Sequence, residues 1–244
     1  RSFPCVPIDS DFEKFVHSEW LAVYKNMWQM LSDCTWVNNP DAIEKASHKL
    51  FQLRTAVECG FNIPQTLVTN SPSSLRLFLE KNSSKAIYKA FNSGEVDESR
   101  KLVIYTNTIG DIEERRNWED GLIVCPGIFQ NQIEKSYEVR VTVVGNQVFS
   151  AHIDSQSNER TRTDWRRYDF DRMAHSRYTL PQDVSEKCVT LVKKLDLTFG
   201  AIDLIVTPEG EYVFLEINAN GQWAWIEFVA GHPISEAIAD ELCS

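Results

Sequence analysis

Between residues 11 and 33, apolar side chains recur at helical spacing: Phe12, Phe15, Val16, Trp20, Val23, Tyr24, Met27, Trp28 and Leu31. The period predicts an amphipathic helix. Ser10, followed three residues later by Glu13, has the form of a capping box at its start. Residues 47–59 predict a second helix stopped at Gly60, and Ile63-Pro64 leads into a short strand over 65–69. Ser71-Pro72 opens a third helix, since proline is tolerated at the first helical position. From Ala86 the period falls to two. Residues 86–91 and 102–105 read as strands, joined by the polar stretch 92–101, which is expected to be a mobile loop. Next come a polar helix over 111–118, a strand from Leu122 into Gln130, and a hairpin of residues 138–144 and 147–153 turning at Gly145-Asn146. Val184, Cys188, Leu191, Val192 and Leu195 make 183–195 amphipathic, and a second hairpin over 201–218 precedes a C-terminal helix after Ser235. Helices and antiparallel hairpins in this order predict an α+β fold.

The chain of 244 residues allows one large domain or two small ones. Its 25 Lys and Arg against 35 Asp and Glu leave a net charge of −10. That balance argues against a grip on nucleic acid through its phosphates, and no nucleic-acid partner is expected. No apolar run approaches the roughly 20 residues that cross a bilayer, and the front has neither the basic start nor the apolar stretch of a signal peptide. A cytoplasmic protein without a membrane partner is expected. Cys5, Cys34, Cys59, Cys125, Cys188 and Cys243 form no C-x-x-C pair and are expected to be reduced, mostly buried thiols. The chain opens on Arg1, so a piece of the natural protein is expected to be missing at the front.

The stretch AIDLIVTPEGEYVFLEIN carries the most chemistry. A four-residue turn at 207–210 would pair Val206 with Glu211 and Asp203 with Phe214, and register then sorts the faces. Ile202, Leu204, Val206, Val213, Leu215 and Ile217 would form an apolar face, leaving Asp203, Glu216 and Asn218 together on the other. Three hard oxygen donors beside a core are what Mg²⁺ takes while it also holds phosphate oxygens. A solvated polar face is the alternative. In YEVRVTVVG, alternation puts Glu138, Arg140 and Thr142 opposite the three valines. Arg166 and Arg167 follow in TDWRR, while Lys49 and Lys89 stand on a helix and a strand. Each cation alone would be an ordinary surface ion pair. With the carboxylates they describe a polyphosphate and Mg²⁺ site. No G-x-x-x-x-G-K-[ST] or G-x-G-x-x-G occurs to cradle phosphate.

The order of these residues (Lys49, Lys89, FQNQI, EVRVTVVG, DWR and AIDLIVTPEGEYVFLEINANGQW) resembles the ATP-grasp ligases, in particular the RimK-like group and the maturases of microviridin-type ribosomal peptides, the graspetides. The resemblance runs from about Lys45 to the C-terminus. Its more specific part is the combination of CPGIFQ, DSQ with DWR, and NANGQWAWIE. It implies two α+β subdomains gripping ATP, with residues 1–40 as a remnant and connecting helix, 41–135 as the subdomain with the hinge strand, and 136–244 as the catalytic subdomain. Members normally begin with a further α/β domain, of which only the last residues would be present here. The loop after Lys89 has one glycine, Gly94, where many members have a glycine-rich phosphate lid.

The resemblance further implies that Lys49 and Lys89 reach the ATP phosphates and that Gln130, Asn131 and Ile133, on the hinge strand, meet the adenine. Asp203, Glu216 and Asn218 would hold Mg²⁺. Arg140 and Arg166 would face the transferred phosphate and the acyl phosphate. Glu113, Glu114 and Asn117 would contact the leader of a precursor peptide, and Asp164 would orient substrate as an ion-pair partner or serve as general base. The implied activity is ATP-dependent activation of an Asp or Glu side chain, followed by intramolecular ester or amide closure: a macrocyclase of ribosomal peptide biosynthesis, with a homodimer left open. An intermolecular ligase adding an amino acid, and an inactive peptide-binding module, are the alternatives.

Overall fold

The computed structural model describes residues 12–83, 85–91, 95–97, 102–103, 106–110, 117–156 and 175–244. The first amphipathic pattern forms α1, Glu13–Met30, headed by Phe12 without a side-chain cap. Ser10 of the expected capping box lies outside the described residues. None of the α1 side chains is buried, and Phe12, Phe15, Met27 and Met30 are all more than half exposed. By contacts the chain divides into Arg1–Trp36 and Val37–Ser244.

The second unit holds the sheets. Helices α2, Pro40–Ala46, and α3, Lys49–Glu58, precede β1, Thr66–Thr69. Gly60 ends the α3 turn at φ +81°, a left-handed backbone that glycine adopts without steric cost. Helix α4, Pro72–Lys81, starts as its sequence predicts, with the Ser71 hydroxyl accepting from Ser74 N–H and proline at its first turn. Strands β2, Ala86–Lys89, β3, Glu95–Asp97, β4, Leu102–Val103, and β5, Asn107–Thr108, come before helix α5, Trp118–Val124, and strand β6, Gly127–Asn131. One antiparallel sheet has the order β1-β6-β2-β5 and packs Phe129 and Ala86 against Leu75 and Leu79 of α4 and Leu122 of α5.

Residues 132–136 lead into the second sheet. Its strands are β7, Tyr137–Val144, β8, Gln147–Ile153, β9, His175–Tyr178, β10, Phe199–Val206, and β11, Tyr212–Asn218, in the order β11-β10-β7-β8-β9. Helix α6, Gln182–Lys194, lies between β9 and β10, and α7, Ala224–Ala230, and α8, Ile234–Cys243, close the chain. Val139, Val141 and Val143 share one face of the sheet with Ile202 and Leu204, packed on Leu53 and Ala56 of α3 and on Cys188 and Leu191 of α6. Phe149, Ala151 and Ala201 face the other way and meet Ile226 and Ile234. Among the described residues no helix is long and apolar enough to cross a membrane.

Several expectations change. Leu122 sits in α5 and not in a strand, and the strand begins at Gly127. The stretch 92–101 contains β3, paired with β4 through Glu95 and Val103, while its remaining residues, Gly94 among them, lie outside the described set. Among the described residues the thiols are not mostly buried: Cys188 is, Cys59 is half-buried, and Cys34, Cys125 and Cys243 are exposed. The expected four-residue turn is a three-residue loop, Pro208 to Gly210, closed by Thr207 N–H donating to Glu211 C=O and by Gly210 at φ +82°. Val206 therefore faces Tyr212, and the apolar side of β11 carries Tyr212 and Phe214 in place of Val213 and Leu215.

Candidate functional site

Register builds the site. Asp203 on β10 lies between Arg140 on β7 and Glu216 on β11, and Asn218 faces Ala201 two residues back along β10. The expected hairpin register was wrong by one residue at the turn, yet the group still assembles. Between Phe214, opposite Leu204, and Glu216, opposite Asp203, the strand carries Leu215 without a partner. This bulge shifts the register once more and turns Glu216 onto the face of Asp203.

Arg140 and Asp203 are both buried, and the guanidinium Nη1 donates to the two Asp203 carboxylate oxygens at 2.8 Å each. Arg140 Nε and the Thr142 hydroxyl, on the same face, are buried without a hydrogen-bond partner. Buried polar atoms left in this state mark a place where a polar group belongs. A side chain is excluded at Gly221: a Cβ there would lie 2.7 Å from Ala201 Cβ, 2.8 Å from Arg140 Nη2 and 3.1 Å from Asn218 Cβ. The backbone after Asn218 thus closes directly over the guanidinium.

Glu138, two residues before Arg140, is also buried and pairs at 2.5 Å with Lys135 from the segment between the sheets. Burial raises its carboxyl above the ordinary range, against the opposing pull of Lys135 and the Ser155 hydroxyl. Lys135 thereby ties the inter-sheet segment to the site strand.

Lys49 reaches the main chain beside Lys89 at a second place. Lys49 begins α3, and its ammonium donates to the carbonyl of Ala90, the residue after Lys89. Gln130 and Asn131 end β6, between β1 and β2, with Gln130 Nε2 donating to Thr66 Oγ1 at 3.0 Å. Gln130 Oε1 and Asn131 Oδ1 are buried without partners. The main-chain N–H groups of Asn131 and Gln132 are taken by Gln65 and Lys85, and Ile133 follows, half-buried, in the segment toward β7. Asn117 is exposed with φ +63°, and its carbonyl accepts from Gly121 N–H in α5. Arg166, Asp164, Glu113 and Glu114 lie outside the described residues.

Two carboxylates and a carboxamide on one face, beside unpartnered buried donors, fit Mg²⁺ together with phosphate oxygens. Among the described residues no group of three or more His, Cys, Asp or Glu is arranged for a metal, so the set depends on the Asn218 amide as third donor. Sequence reasoning missed Gln52 and Asn38, buried carboxamides bonded to the main chain of β11 and the residue after it. A polar residue inside the apolar stripe of α3 was the available signal.

A RimK-like ATP-grasp domain model matches residues 46–242. Among solved structures, the chain is similar to a Chryseobacterium gregarium ligase, described as a RiPP-associated ATP-grasp ligase in complex with ADP and a leader and core peptide. The TM-score is 0.84 at 33% identity over 97% of this chain and 71% of that one. The macrocyclase MdnC of Microcystis aeruginosa MRC, bound with the precursor peptide MdnA, gives 0.83 at 31% identity over 100% and 76%. The macrocyclase MdnB from the same organism gives 0.79 at 34% over 98% and 73%. No curated protein matches the chain.

Proposed function

The chain belongs to the RimK-like ATP-grasp family of ligases, and from that premise we propose that it closes ester or amide rings within a ribosomal precursor peptide at the expense of ATP. The observation that carries this reading is the assembly of Arg140, Asp203, Glu216 and Asn218 on one face of the second sheet. Relatives similar over nearly the whole chain are described with ADP and with leader, core or precursor peptides, which supports a nucleotide and a peptide as the two substrates. The two sheets, joined at residues 132–136, support a first lobe of 41–135 and a second of 136–244 with a nucleotide held between them.

In this reading the hinge residues Gln130, Asn131 and Ile133 meet the adenine, and Lys49 and Lys89 neutralise phosphate oxygens. Asp203, Glu216 and Asn218 would hold Mg²⁺, which when bound would supply positive charge to offset that of the phosphate oxygens. A side-chain carboxylate oxygen of the peptide attacks the γ-phosphorus, ADP leaves, and an acyl phosphate results. A Ser or Thr hydroxyl, or a Lys amine, of the same peptide then attacks the carbonyl; phosphate departs and takes up the proton that the nucleophile gives up. Arg140 donates to the phosphoryl oxygens, a role its unpartnered Nε supports, and Arg166 is assigned the same task. Asp164 orients Arg166 by ion pairing. Glu113, Glu114 and Asn117 receive the leader.

Mass spectrometry of a leader-bearing precursor, incubated with the protein, ATP and Mg²⁺, tests the proposal. Ring closure removes one water per bond and leaves the number of chains unchanged. A mass gain equal to an added amino acid would establish the intermolecular ligase instead, and an unaltered peptide with no ATP consumed would establish a binding module.

A further inference from the structure

β11 is an edge strand, and its bulge has to be held from outside the ladder. In the register set by the turn, Asp203 would face Leu215, and Glu216 would stand opposite Ile202 with its carboxylate toward the apolar core. The bulged alternative gives up regular pairing at Leu215, so an interaction beyond β10 must favour it. Gln52 supplies one from α3. Only 4% exposed, it accepts from Ile217 N–H at 3.2 Å and donates to Ile217 C=O at 2.9 Å, while its other amide hydrogen goes to Ala46 C=O at 2.6 Å. Ile217 is the residue between Glu216 and Asn218.

On the other side of the bulge, Phe214 N–H points outward and donates to Asn62 C=O at 2.9 Å. Outward N–H groups alternate along a regular antiparallel strand, so residues 214 and 217 can both point outward only when one extra residue lies between them. The two outer bonds therefore exist together only in the bulged register. Asn38 completes the clamp: Nδ2 donates to Ala219 C=O and to Phe199 C=O at 2.7 Å, and Oδ1 accepts from Thr198 and Phe199 N–H at 2.7 and 2.8 Å. It fastens the residue after Asn218 to the start of β10.

We infer that Gln52 is a positioning residue for the oxygen-donor set, holding β11 in the register that turns Glu216 and Asn218 toward Asp203. The inference rests on reading those three residues as Mg²⁺ ligands. Its test uses Mn²⁺ as probe, free ion being counted by electron paramagnetic resonance in the presence of ADP, with wild type, Gln52→Met and Glu216→Gln compared. Gln52→Met keeps side-chain length and loses the amide. It is expected to weaken Mn²⁺ binding about tenfold or more, as loss of an outer-shell partner does, while ADP binding in EDTA stays unchanged. Hydrogen exchange should show loss of protection at Ile217 N–H with β7 unaffected.

Wild-type Mn²⁺ affinity in Gln52→Met, beside lost binding in Glu216→Gln, would overturn the clamp and leave the site standing. Retained binding in Glu216→Gln would overturn the site, and the inference with it. Should Gln52→Met not fold, Gln52→Glu repeats the comparison, since it keeps the acceptor and drops both donors.

Discussion

A methyl group added at Gly221 would strike the Arg140 guanidinium and Ala201 at under 3 Å, and Arg140 cannot swing aside without breaking its two bonds to Asp203. Gly221→Ala is expected to lower ATP turnover roughly 10- to 100-fold, since a displacement of about 1 Å costs that much, with overpacking costing about 1–3 kcal/mol of stability. Steady-state kinetics beside a urea melt would separate the two effects. Glu216→Gln should abolish turnover and leave the melt alone, because the apolar face of β11 is untouched. The Lys135 and Glu138 pair makes a different prediction. The raised Glu138 value means the folded chain holds that proton more tightly than the unfolded one. The stability this contributes is complete below the ordinary 4.5 and is lost as pH rises through the folded value. Glu138→Gln should therefore gain on wild type from pH 4.5 upward. Lys135→Met strands a buried carboxylate and should lose about 3–5 kcal/mol at neutral pH, and less in acid. Unfolding midpoints at several pH values check both signs.

At the scale of elements, the second hairpin shows what alternation along a strand can and cannot reveal. Asp203, Glu216 and Asn218 are legible as one group, but by a register that is not the real one: Gly210 in left-handed backbone shortens the loop and moves the pairing by one residue, and the bulge at Leu215 moves it by one more in the same direction. The two shifts add to two residues, which returns Glu216 and Asn218 to the face of Asp203, and neither is written in a hydrophobic pattern. The bonds that hold the result come from Gln52 and Asn38, 165 and 181 residues away from the main-chain groups they bind on Ile217 and Ala219, a separation no local pattern reports. At Leu122, Ile123 and Val124 the apolar run suggests a strand, whereas the segment is a helix whose Ile123 and Val124 stay exposed and whose Leu122 alone is buried. Gly210→Ala should then be costly in stability more than in chemistry: about 1–2 kcal/mol for a left-handed non-glycine residue, read as a drop in melting temperature with the ATP KM unchanged.

For the whole molecule, a net charge of −10 favours basic partners. In the proposed reading, Glu113 and Glu114 meet basic residues of a leader peptide, and rim pairs of that kind govern encounter and register more than affinity. Glu113→Ala with Glu114→Ala should weaken binding of a labelled leader at low salt, with the difference fading as salt rises and ATP binding unaltered; equal affinities at low salt would remove those residues from recognition. Thiol labelling reads the fold independently. Cys34, Cys125 and Cys243 should react in the native protein, while Cys188, buried and with its thiol pushed up to about 12, should react only after unfolding. The amide clamps on β11 have one more effect. An edge strand bearing Val213, Phe214 and Ile217 offers its outward amides as a template for strand addition by another molecule. Here Asn62 and Gln52 occupy the outward groups of Phe214 and Ile217, so the contacts that orient the carboxylates also insulate the protein against aggregation, and a chain without the Gln52 amide should form fibrous or amorphous aggregate sooner on warming.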